Sequence, residues 1–386
     1  MTEADRSGRS VRVDRHSMLD RHGLDQLIDA LRARGYRVVG PTVHDSAIVL
    51  DELESGAQLP SGWGVTTGPG IYRLRRRDDA AVFGHSAGPQ SWKRFLHPPR
   101  QQLWSVDRNG TYEAPAQDER PYAFVGVRGC DLAAIAVLRR VLCPDPSADS
   151  PTARRFQHLF LVAAHCTEPG EVCFCASMGT GPAAGSGYDL ALTERIDEHG
   201  HRFLVDIGTD EGASVLDDVA RRPAAVGEVD DARTAVTSAA DRMGRTMPEV
   251  DLRLLLRSAR EADVWEDVAA RCLTCGNCTM VCPTCFCTTS EDITDLTGDH
   301  AERWQHWSSC FELDFSHLHG GDVRVSGESR YRQWMSHKLG TWFDQFGSSG
   351  CVGCGRCIDW CPVGIDITEE AARLSQVLPA ETPEDA

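Results

Sequence analysis

CLTCGNCTMVCPTCFC, residues 272–287, packs six cysteines into sixteen residues, and CVGCGRCIDWCP, residues 351–362, repeats the first part of its pattern. Cys272, Cys275, Cys278 and Cys282 are spaced C-x2-C-x2-C-x3-C and followed by Pro283. Cys351, Cys354, Cys357 and Cys361 keep the same spacing, followed by Pro362. This is the run that holds a cubane 4Fe–4S cluster. Three thiolates on one tight loop each reach a corner of the cube, and the fourth corner takes its ligand from elsewhere. In two-cluster ferredoxins the last cysteine of each run crosses to the other cluster. That pairing predicts Cys272, Cys275, Cys278 and Cys361 around cluster 1, and Cys351, Cys354, Cys357 and Cys282 around cluster 2. Gly276, Gly353 and Gly355 let backbone N–H groups approach the sulfides, and the prolines end each loop. Structural zinc calls for two C-x2-4-C pairs closing one tetrahedron, a pattern that a triplet followed by C-P does not fit.

The rest of the composition narrows the setting. With 386 residues the chain has room for two or three domains. A net charge of −17 and a pI near 5.2 argue against nucleic acid or an anionic membrane as partner. No apolar run approaches the roughly 20 residues that cross a bilayer. The opening MTEADRSGRSVRVDRHS has no apolar core of a secretion signal. The expectation is a cytoplasmic protein without direct membrane insertion. In that compartment sixteen cysteines read as metal ligands rather than disulfides.

Outward from the two runs, the sequence predicts an α+β protein. A flexible lead (1–20) precedes a mixed α/β domain (21–245), an α-helical ferredoxin-like domain with two 4Fe–4S clusters (246–380) and a short tail (381–386). Between the runs, Tyr331, Trp334, Met335, Leu339, Trp342 and Phe343 recur at helical spacing and read as core. Asp366 and Glu369 resemble a capping box ahead of a helix over 369–377. Near the N-terminus, Leu24, Leu27, Ile28 and Leu31 mark a helix, followed by strands at 36–39, 47–50 and 71–74. His85 and His97 are isolated and read as surface or satisfied histidines.

A third metal site is predicted further along. PYAFVGV reads as a strand, RGC as a turn, DLAAIAVLRRVL as a helix that Asp131 can cap, and HLFLVAA as a second, parallel strand. Cys130 and Cys166 then fall at the carboxyl ends of parallel strands, where open α/β sheets place ligands. Cys173 and Cys175 follow on a short loop. These four thiols are read as a third 4Fe–4S cluster, with zinc as the alternative. The glycine-rich MGTGPAAGSG, 178–187, lacks a nucleotide-loop pattern and reads as a loop around that site. Cys143 is ordinary. Cys285, Cys287 and Cys310 are left over, either as a buried thiol shell or as a site completed by a histidine or aspartate.

The combination of VGVRGCDLAAI, HCTEPGEVCFC, CLTCGNCTMVCPTCFC, DITDLTGDHAERWQHWSSCFELDFSHLHGG and SRYRQWMSHKLGTWFDQFGSSGCVGCGRCIDWCPVGIDITEE resembles the beta, electron-transfer subunit of cytoplasmic nickel–iron sulfhydrogenases. It equally resembles a relative, the corresponding electron-transfer subunit of anaerobic sulfite reductase. The resemblance implies a non-catalytic iron–sulfur subunit. Its partners would be a flavin- and NAD(P)-binding subunit and either the small and large nickel–iron hydrogenase subunits or a sirohaem sulfite reductase subunit. The chain has no flavin fingerprint and no cysteine before Cys130, which fits a relay subunit better than a flavin or nickel–iron subunit. Two other classes stay open. One is an enzyme reducing a small molecule at an open iron, and the other a redox-sensing regulator with labile clusters.

Overall fold

The computed structural model describes residues 16–115, 120–145 and 150–377. The expected tail and most of the expected lead lie outside these residues. His16–Asp20, expected as part of the flexible lead, forms a strand.

FVGV and FLVAA are nearly continuous apolar runs, as strands buried on both faces require. They sit at the centre of an eight-stranded sheet. From one edge its order is Arg222–Pro223, His16–Asp20, Gly200–Ile207, Leu190–Asp197, Phe160–Ala164, Tyr122–Val127, Arg37–His44 and Ala47–Glu52. The three central pairings are parallel, as the strand–helix–strand reading predicts, and the outer ones are antiparallel. One face is covered by the helix Arg21–Ala33, whose Leu24, Leu27, Ile28 and Leu31 pack on Val125, Phe160, Val162 and Phe203. Asp20 caps it, accepting from Gly23 N at 2.8 Å. The opposite face takes the helix Gly129–Leu142, through Leu132, Ile135 and Leu138 against Phe124 and Leu161.

Two expectations in this half are corrected. Asp131 does not cap its helix; it sits within the first turn, where its carboxylate takes Arg356 from the C-terminal half. His85 and His97 are buried rather than surface residues, at 8% and 6% exposure. Each leaves Nε2 without a hydrogen-bond partner among the described residues. Burial, above all other influences, pulls His85 down to about 3 and His97 to about 4.

The C-terminal half is built on the helices Leu252–Ser258, Val264–Arg271, Gly327–Ser336, Trp342–Phe346 and Ile367–Val377. Their apolar faces meet in one core around Trp265, Phe311, Tyr331, Trp334 and Met335. The aromatic stripe is therefore core, apart from a half-buried Phe343. Asp366 accepts from Thr368 N at 2.9 Å and starts the last helix at Ile367, two residues before Glu369.

This half is not purely helical, contrary to expectation. Thr288–Thr294 and His300–Trp307 form an antiparallel hairpin that pairs with Arg100–Asp107 from the N-terminal half. The turn residues Gly298 (φ +73°) and Asp295 sit between two segments rich in Thr, Ile and Trp. The sheet so formed crosses the expected boundary at residue 245. Ion pairs cross it too: Arg356 to Asp131 at 2.8 Å, buried on both sides, and half-buried Arg245 to buried Asp366 at 2.6 Å.

Candidate iron–sulfur centres

Each cysteine run folds as a loop ending in one short helical turn, Asn277–Met280 in the first and Arg356–Asp359 in the second. The repeat is conformational as well as chemical. Thr274 and Gly353, two residues after the first cysteine of each run, both adopt positive φ (+51° and +66°). Gly276 and Gly355, two residues later again, do the same (+71° and +78°). Such a path turns backbone N–H groups inward towards the sulfur. Thr274 N donates to Cys272 Sγ at 3.4 Å, and Gly353 N donates to Cys351 Sγ at 3.5 Å.

The tertiary fold brings the predicted thiol sets together. Cys272, Cys275, Cys278 and Cys361 all line one cavity of about 450 Å³, walled by Phe311, Tyr331, Trp334 and Ile365. Cys282, Cys351, Cys354 and Cys357 all line a second cavity of about 300 Å³. Cys357 and Trp334 border both. The crossing cysteines are held differently. Cys361 Sγ accepts from Ile365 N at 3.3 Å, whereas Cys282 Sγ lies 3.2 Å from both the Thr284 hydroxyl and the Lys338 ammonium.

The residues fit cubane clusters on two counts. Cys272, Cys275, Cys278 and Cys361, with Cys357 beside them, border the first cavity, and four thiols border the second. The Tyr331 hydroxyl and Trp334 Nε1, from residues lining the first cavity, are buried donors without a protein acceptor among the described residues. A cluster's sulfides are acceptors of the kind such donors lack. Burial pushes the Cys278 and Cys357 thiols well up, and Cys351 and Cys354 up to about 12. Iron ligation is the chemistry that deprotonates such thiols outright. Cys282 moves the other way. Its hydrogen bond with Cys285 holds it well below the usual thiol range, with burial opposing and Lys338 assisting.

The four N-terminal cysteines also meet. Cys130 and Cys175 pack together with Val352 and Cys354 of the second run. Cys166 lies in the electrostatic reach of Cys130, and Cys173 in that of Cys166, Cys130 and Cys354. Gly170 N donates to Cys173 Sγ at 3.3 Å. The glycine-rich segment does wrap this group: a Cβ on Gly181 would stand 2.7 Å from Cys175 Sγ. Cys143 packs at the edge of the main-sheet core.

Gly353 joins this third group to the second cavity. Its carbonyl accepts from Phe174 N at 2.9 Å, and a Cβ there would meet the Cys175 backbone at 2.6 Å. Gly353→Ala should therefore part the two loops, besides straining a positive φ. On the sequence expectation of a third cluster, the variant should lose the iron of the Cys130 group and keep the first cluster's paramagnetic signal; iron analysis and electron paramagnetic resonance of the variant check it.

Sequence reasoning missed Lys93, Lys338 and Arg356 as buried cations around these sites, at 2%, 3% and 2% exposure. A signal existed for one of them. Trp334, Lys338 and Trp342 are spaced i, i+4, i+8, which places the lysine on the stripe that packs inward.

Residues 271–365, which hold both runs, match the family described as 4Fe-4S dicluster domain. The chain is 29% identical over 338 residues to sulfhydrogenase 2 subunit beta of Pyrococcus furiosus, covering 86% of this chain and 90% of that protein. No solved structure matches. Among the described residues no helix is long and apolar enough to cross a membrane. The resemblance to the beta subunit of sulfhydrogenase thus extends along most of the chain, and both cysteine runs lie within the stretch that matches the 4Fe-4S dicluster domain.

Proposed function

We propose that this chain is the iron–sulfur electron-transfer subunit of a cytoplasmic complex, relaying electrons between a flavin- and NAD(P)-binding subunit and a nickel–iron hydrogenase module. In this reading Cys272, Cys275, Cys278 and Cys361 hold one cluster, Cys282, Cys351, Cys354 and Cys357 a second, and Cys130, Cys166, Cys173 and Cys175 a third. The observation that carries it is the shared wall: Cys357 and Trp334 border both C-terminal cavities, and Cys354 packs against Cys130 and Cys175. Thiol groups so contiguous make a path across the subunit. Clusters bound there would supply one-electron carriers.

The protein's own side chains have three tasks in this arrangement. Phe311, Tyr331, Trp334 and Ile365 exclude water from the first cavity. N–H groups at Thr274, Gly353 and Ile365 donate to ligand sulfurs and so stabilise the more negative, reduced form. Lys338 and Arg356 place positive charge beside the second set: Lys338 touches Cys282, and Arg356 acts electrostatically on Cys354. Both favour accepting an electron.

The corresponding subunit of a sirohaem sulfite reductase is the second reading, because the sequence resembles both kinds of complex. Purifying the native complex and measuring its metals separates them. Nickel in proportion to this chain is the expected result, sirohaem would move the chain to sulfite reductase, and neither would overturn both assignments.

A further inference from the structure

Cys285, Cys287 and Cys310 have no place in the three thiol groups above, yet the fold gathers them. All three line one cavity of about 340 Å³, comparable in size to the two that hold the four-thiol sets, at about 450 and 300 Å³. Cys285 and Cys287 come from the end of the first run, and Cys310 returns to them after the hairpin strand His300–Trp307. Trp334, Trp342 and Lys338 complete much of the wall.

Two observations independent of the cysteines point to an anionic occupant. The first is buried positive charge with no carboxylate partner among the described residues. Lys338 is 3% exposed, on a π-helical turn at His337–Thr341, and its Nζ touches Cys282 Sγ, Thr284 Oγ1 and the Gly350 carbonyl, each at 3.2 Å. Lys93 is 2% exposed, with Nζ 3.0 Å from the Cys285 carbonyl and 3.8 Å from the Trp307 ring centroid. Neither forms an ion pair with a carboxylate among the described residues. Two ammonium groups buried without carboxylates require negative charge nearby, and the groups that face them are thiols: Cys285, Cys282 and Cys287 around Lys93, and Cys282, Cys285 and Cys351 around Lys338. π-helical turns are also concentrated at functional sites. The second observation is an orphaned donor. Trp342 Nε1 is buried without an acceptor among the described residues, and its side chain lines this cavity and neither of the other two. A sulfide ion or cysteinate sulfur would accept from it, and an empty apolar space would not.

We infer that Cys285, Cys287 and Cys310 hold a further iron–sulfur cluster with three protein thiolates, beside the second cluster and separated from it by Lys338. Three thiolates suit a cluster of three irons, or one of four irons whose last corner takes a ligand from outside the thiol set. Lys338 borders both this cavity and the second one, so the new centre lies beside the relay and in electrostatic contact with it.

The inference rests on the iron–sulfur reading of the two C-terminal runs, and one experiment separates their failures. Full-length protein is purified and crystallised without oxygen, and anomalous scattering is collected at the iron edge. A cluster-sized peak ringed by Cys285, Cys287 and Cys310, in addition to those at the two four-thiol cavities, is the expected result. Peaks at the four-thiol cavities with none here would overturn the inference alone, whereas no iron at any cavity would overturn the underlying reading. In solution, Cys287→Ser and Cys310→Ser should each remove about three to four irons per chain while retaining the signals of the other clusters. Unchanged iron in both variants counts against the centre. Should either variant fail to fold, Lys93→Gln, which keeps every thiol, should shift one cluster's midpoint potential to a more negative value; potentials identical to the parent protein's would contradict the proposal.

Discussion

Cys282→Ser is expected to abolish the cluster of the distant second run, although Cys282 belongs to the first. It shares a cavity with Cys351, Cys354 and Cys357, while Cys272, Cys275 and Cys278 line another with Cys361. The substitution also removes the sulfur that faces the Lys338 ammonium at 3.2 Å, leaving a buried cation with less compensation. The first cluster's signal should persist and the second should vanish or convert to a three-iron form. Because the second site borders both neighbouring thiol groups, electron transfer through the subunit should fall by at least about tenfold, equivalent to about 1.4 kcal/mol of barrier. Electron paramagnetic resonance of the reduced variant, with turnover of the assembled complex, decides the matter. Loss of the first signal with retention of the second would reverse the ligand assignment.

The second large effect concerns the joint between the halves. Arg356 meets the Asp131 carboxylate through both terminal nitrogens, at 2.8 and 3.2 Å, with both side chains at most 4% exposed. Its Nε also donates to the Gly88 carbonyl at 3.2 Å. Fork-to-carboxylate pairing of this kind is directional, and it positions the second cysteine loop against the helix that carries Cys130. Asp131→Ala would strand the guanidinium in a dry interface, at a cost of about 3–5 kcal/mol. Replacing both partners, as Asp131→Leu with Arg356→Met, should recover much of that stability, because the pair's own desolvation cost is removed with it. The comparison is made by denaturant unfolding, followed by near-ultraviolet signals from each half, since unfolding of so large a chain need not be two-state. A single variant as stable as the parent would show that the pair contributes nothing to the joint.

Spacing alone was enough to identify the two cysteine runs, to set zinc aside for them, and to predict which cysteine crosses to which cavity. That follows because cluster ligation is a local constraint: three thiolates within seven residues must turn tightly, and the turn leaves its mark in residue type. The paired positive-φ positions at 276 and 355 are glycines for this reason. The parallel strands around Cys130 and Cys166 were equally legible, since a strand buried on both faces must be apolar throughout.

What escaped reading was set by contacts between residues far apart in the chain. The hairpin at 288–307 lies in a stretch whose spacing suggests partial helix, and it finds its partner strand nearly two hundred residues upstream. Asp131 occupies a position suited to capping, yet a guanidinium 225 residues away competes successfully for its carboxylate. Lys93 and Lys338 gain their significance only when the fold encloses them beside thiols. Cys285 and Cys287, the remainder of the opening run, acquire a context only when Cys310 returns to the same cavity. The chemistry of the ligand loops is thus legible in the order of residues, because it is written at short range. How the thiol groups adjoin, and where buried charge accumulates, is a property of the folded chain alone, because burial and electrostatic pairing depend on distances that only folding sets.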